Sequence, residues 1–140
     1  MSLIPHLHTA MTLYMTGLIW FVQIVHYPLK VFISEEDWII YERMHTRKTL
    51  FVTLPFMLIE LASLVYITVI SENPFSWEMI IFQVCTAIVW ISTLGIQVPI
   101  HGKLEQEYNL VNVHRLIKTN WIRTIAWSIK AVTLVITWML

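Results

Sequence analysis

Four apolar runs, at approximately residues 9–30, 48–70, 77–99 and 120–140, constrain this 140-residue chain more than any other feature. Each is long enough to cross a bilayer as a helix, which takes about 20 residues at ~1.5 Å each. Backbone groups in lipid must find partners within their own segment, so for so few segments helices are the workable form. The composition agrees: 57% of residues are hydrophobic and only 13% charged, where a soluble domain carries roughly a quarter charged. The expected fold is all-α and integral to the membrane: one domain over residues 1–140, a four-helix transmembrane bundle.

The charges set the expected orientation. Lys30, Arg43, Arg47 and Lys48 lie between the first two runs, and Lys103, Arg115, Lys118 and Arg123 between the last two. The middle connection, Ser71-Glu72-Asn73-Pro74-Phe75-Ser76, has neither Lys nor Arg. The positive-inside rule makes the first and third connections cytoplasmic and puts both termini on the outer side. Met-Ser-Leu-Ile-Pro-His-Leu-His at the start lacks the basic region of a signal peptide, so the first run is expected to stay in the mature protein. Zero formal net charge gives no reason to expect nucleic acid as a partner, and the single Cys85 excludes an intrachain disulfide.

Neither cytoplasmic connection reads as slack. Ser34-Glu35-Glu36-Asp37 has the form of a helix N-cap followed by an acidic first turn, so a helix is expected to start near Glu35 and continue into the second run. Residues 108–118 are amphipathic and lead into the fourth. A coarse repeat supports two repeated helical hairpins: Trp20, Gln23, His26 and Pro28 are echoed by Trp90, Gln97, Pro99 and His101.

The candidate chemistry lies at the cytoplasmic ends. His26 and His101 sit about 3–6 Å inside the last basic residue of their spans at 1.5 Å per residue. His45 and His114 lie on the approaches to the second and fourth runs. One histidine per helix at one end of a bundle is a way to build a metal site. Imidazole suits iron or copper, and Glu42, sharing a helix face with His45 at i, i+3, is an optional further ligand. Gln23 and Gln97, one turn deeper, are expected either to orient the exit histidines or, equally, to make interhelical hydrogen bonds, with Asn120 and Arg123 completing the polar set. Arg123 could equally meet an anionic headgroup, or an anionic substrate or cofactor carboxylate. The plain alternative is that each histidine hydrogen-bonds headgroups or helix ends, and His6 and His8, at the other end, are read that way.

Glu60 lies about 18 Å beyond Lys48, and Lys130 about 15 Å beyond Asn120, by the helical rise. A charge at the bilayer centre costs at least ~2.5 kcal/mol, so the two are expected to pair across helices two and four. Pro55 is expected to kink helix two.

Two segments carry a resemblance. Gly17-Leu18-Ile19-Trp20-Phe21-Val22-Gln23-Ile24-Val25-His26-Tyr27-Pro28 and Asn120-Trp121-Ile122-Arg123-Thr124-Ile125-Ala126-Trp127-Ser128 resemble a group of small uncharacterised bacterial four-span membrane proteins. That group is distantly similar to the anthrone-oxygenase-like membrane family. The resemblance implies oxidation of a lipophilic, aromatic substrate at the bacterial inner membrane, and it assigns no catalytic residue.

The leading expectation is therefore a small membrane oxidoreductase with a histidine-ligated iron or copper centre near the cytoplasmic face, acting on a lipophilic small molecule. A b-type haem protein with two of these histidines as axial ligands is one alternative. A non-catalytic subunit of a larger membrane complex, or a homo-oligomer, is another.

Overall fold

The computed structural model describes residues 3–139. Met1 and Ser2 of the N-terminal reading, and Leu140 at the end of the fourth run, lie outside them. Four helices, each long and apolar enough to cross a membrane, make up the chain: α1 Leu3–Phe32, α2 Glu35–Ile70, α3 Trp77–Leu104 and α4 Leu110–Met139. The 36 residues of α2 extend about 54 Å, well beyond a ~30 Å hydrocarbon core.

Local chemistry explains the helix starts. Ser34 Oγ accepts the Asp37 backbone N–H at 3.2 Å, and Glu35, Glu36 and Asp37 face the positive end of the α2 dipole. The helix therefore begins before the apolar run and enters it without a break. Asn109 Oδ1 accepts the Asn112 N–H at 3.1 Å at the start of α4. Pro55 lies inside α2, with helix on both sides.

α1 and α3 share an interruption. Each contains a five-residue π-helical turn, Val22–His26 in α1 and Thr93–Gln97 in α3, with Pro28 or Pro99 as the second residue after it. Proline cannot donate to the preceding turn, and the widened turn is where the ladder shifts register. From 22 to 93 and from 28 to 99 the offset is the same 71 residues. That register makes His26 the counterpart of Gln97, and Lys30 the counterpart of His101. The sequence pairing of Gln23 with Gln97 and His26 with His101 is corrected accordingly.

α4 packs along both α1 and α3, α1 packs along α2, and α2 and α3 meet more loosely. The core includes Met15, Ile19, Trp38, Val89, Leu104, Leu116 and Trp127. Trp38 Nε1 donates to the Leu104 carbonyl at 2.8 Å, tying the start of α2 to the end of α3. Polar side chains share the interior with this core, and many apolar ones face outward. Thr12, Gln23, Glu60, Asn120 and Lys130 are buried, while Phe51, Val69, Ile91 and Val132 are exposed.

Candidate functional site

Glu42 is the hub of the end where the α1–α2 and α3–α4 connections lie. After Pro28, α1 tightens into a 3-10 turn over Lys30–Phe32, which brings Lys30 inward. Lys30 Nζ donates to Glu42 Oε2, and both side chains are fully buried. His101 Nδ1 lies 2.5 Å from Glu42 Oε1, so both carboxylate oxygens are engaged. His101 Nε2 lies 3.1 Å from the Tyr27 hydroxyl. One turn along α2, His45 Nδ1 lies 2.8 Å from His26 Nε2, the two rings stacked with centroids 4.6 Å apart. His45 and His101 ring centroids are 5.3 Å apart.

Glu42, His45 and His101 each offer one ligand atom, and those atoms all lie within 4.8 Å of one another. Two imidazoles and a carboxylate are a donor set that suits iron, copper or zinc.

A cavity of about 630 Å³ adjoins this cluster. α2 and α3 supply most of its wall, with His45, Gln97, His101 and Arg123 among its polar lining and Met15, Met57 and Trp127 among its apolar lining. Ligand pockets typically have roughly 300–1,000 Å³, mostly apolar walls and a few placed polar groups. The exposed Arg43 and Arg47 also border it.

The remaining candidates are placed as follows. His114 is exposed and outside the cluster, because its neighbours Val113 and Leu116 carry the inward face of α4. Gln23 and Gln97 make interhelical hydrogen bonds to α4, the second of the two roles the sequence offers, and among the described residues hydrogen-bond no histidine. Gln23 Oε1 accepts from Asn120 Nδ2 at 2.8 Å, and Gln97 Nε2 donates to Thr119 Oγ1 at 3.1 Å. Arg123 donates through Nε to Asn120 Oδ1 at 3.0 Å and through a terminal nitrogen to the Tyr27 hydroxyl at 3.4 Å. Tyr27 thus links the Gln23–Asn120–Arg123 net to His101 and Glu42.

Sequence reasoning missed Tyr27 and Lys30. Lys30 was counted with the loop charges. Its setting between Leu29 and Val31-Phe32 was the available signal, since an isolated lysine among apolar residues needs a buried partner.

A second buried polar cluster lies toward the terminal end. Lys130 Nζ donates to Glu60 Oε1 at 2.7 Å, the partner that matching depth selects. Thr12 Oγ1 donates to the same oxygen at 2.7 Å, and Trp127 Nε1 donates to Oε2 at 3.1 Å. Lys130 also donates to Thr86 Oγ1 at 2.8 Å. Thr12, Glu60, Thr86 and Lys130 form one layer, each nine or ten residues, about 14 Å, from the end of its helix. His8 joins this cluster and is not a surface residue: its Nδ1 lies 3.1 Å from Ser63 Oγ and 3.2 Å from the Glu60 carbonyl. His8, Thr12, Met15 and Ile19 share the inward stripe of α1 at helical spacing, which the sequence reading overlooked. His6 is exposed and packs edge-on to Trp138.

Comparison of the chain with family models, with curated proteins and with solved structures gave no match.

Proposed function

We propose that this chain is an integral protein of the bacterial inner membrane with both termini outside. In this reading it is a small oxidoreductase in which Glu42, His45 and His101 would hold an iron or copper ion beside a cavity for a lipophilic molecule. The apolar exterior supports the membrane assignment. Lys30 and Arg123 are buried and cannot serve as surface charges, but Arg43, Arg47, Lys48, Lys103, Arg115 and Lys118 are all exposed on the connection side. These six exposed charges alone satisfy the positive-inside rule with the connections on the cytoplasmic side.

The observation that carries the reading is the convergence of three ligand atoms within 4.8 Å beside an apolar cavity. The bound ion would supply the electron-transfer chemistry. His26 sits against His45, and Tyr27 against His101, where each can fix the orientation of a ligand ring. The apolar walls hold the substrate and keep water from it. A haem fits less well: its two axial imidazoles need a macrocycle-wide slot between them, and His26, His45 and His101 are packed against one another. The resemblance to anthrone-oxygenase-like proteins is part of the same proposal and points to an aromatic substrate.

Elemental analysis of the purified protein tests it. About one iron or copper per chain is expected in the wild type, and less than about a tenth of that in the His45→Ala, His101→Ala double variant. A wild type without stoichiometric metal, or a double variant that keeps it, would sink the metal centre.

A further inference from the structure

Three cations are buried in this bundle, and their partners differ. Lys30 has Glu42 and Lys130 has Glu60. Arg123, only 9% exposed, meets neutral acceptors alone among the described residues. They are Asn120 Oδ1, at 3.0 Å from Nε and 2.5 Å from a terminal nitrogen, the Tyr27 hydroxyl at 3.4 Å and Thr93 Oγ1 at 3.4 Å. A buried charge without a counter-charge is expensive, which is why buried cations are normally paired. Arg123 also lines the 630 Å³ cavity.

We infer that the cavity binds an amphiphilic carboxylic acid, its carboxylate on Arg123 and its apolar body along Met15, Met57 and Trp127. A guanidinium fork matches a carboxylate in geometry. A phosphate head fits less well. It carries ~1.5–2 charges and would be costlier to desolvate beside the buried Arg123 than a single carboxylate charge. The inference rests on the cavity being the substrate site and does not depend on the metal.

Binding of cis-parinaric acid and of its methyl ester to the protein in zwitterionic nanodiscs, read by probe fluorescence, is the test. The acid is expected to bind wild type at least about tenfold tighter than the ester, as a charge-assisted contact should. In Arg123→Gln the preference should vanish with ester affinity unchanged, and in Arg123→Lys part of it should remain. Equal affinities for acid and ester in wild type would overturn the inference by themselves, whatever the variants do. So would a preference that survives Arg123→Gln. Displacement of the probe by phosphatidic acid at concentrations where dodecanoic acid leaves it bound would assign the cation to lipid headgroups and also overturn it. Metal content measured on the same samples separates the two ideas: acid preference in a metal-free wild type would end the metal proposal and leave this one standing.

Discussion

Glu42–Lys30 and Glu60–Lys130 are the same chemical pair, each about 2% exposed or less, set 18 residues or about 27 Å apart along α2. Their surroundings differ in kind. Around Glu60 the other donors are a threonine hydroxyl and an indole N–H, both from neighbouring helices, and Lys130 spends a further bond on Thr86. That arrangement fixes four helices at one level, and the imidazole of this cluster, His8, lies against the Glu60 backbone carbonyl and Ser63, not against the carboxylate. Around Glu42 the second partner is an imidazole, His45 lies one turn along and stacks on His26 of α1, and a cavity adjoins. Both π-helical turns also fall at this end, and such turns are frequent at functional sites. A buried ion pair is therefore not a functional signal by itself. What its neighbours can donate or ligate decides.

The comparison can be broken by removing one ammonium from each pair. Lys130→Met is expected to cost about 3–5 kcal/mol in unfolding experiments in detergent, since it leaves a carboxylate buried with neutral donors only. Adding Glu60→Leu should recover most of that loss. Lys30→Met should cost clearly less, because His101 still holds Glu42. Equal losses at the two sites would mean that both pairs are architectural. Next in size, His26→Ala should weaken metal binding about 10–100-fold without abolishing it, as expected for a group that orients a ligand. Complete loss in a chelator titration would make His26 a ligand itself. Smallest of all, His114→Ala should leave metal content unchanged and shift stability by less than about 0.5 kcal/mol, as for an exposed position. A clear loss of metal there would require a different arrangement at the start of α4.

Much of the bundle was legible in the chain, because the signals are local. Apolar runs of spanning length specify helices wherever they are placed. Ser34 with three acidic residues behind it marks a helix start through contacts spanning three residues. Depth along a helix is simple arithmetic, so Glu60 and Lys130 could be matched without knowing any tertiary contact.

Direction around a helix is another matter. His114 faces out because Val113 and Leu116 face in, and only packing against the other helices settles which stripe turns inward. The π-helical turns add a residue to the ladder and rotate everything beyond them, while Gln23 and Gln97, within those turns, meet α4. The same rotation, with the 3-10 turn after Pro28, carries Lys30 to Glu42 and puts His101 in the corresponding place on α3. The sequence by itself determined the elements, their lengths and the levels of their polar groups, because these follow from composition and a fixed rise per residue. Only the tertiary structure decided which of those groups meet, because the azimuth of a side chain depends on ladder register and on neighbours distant in the chain.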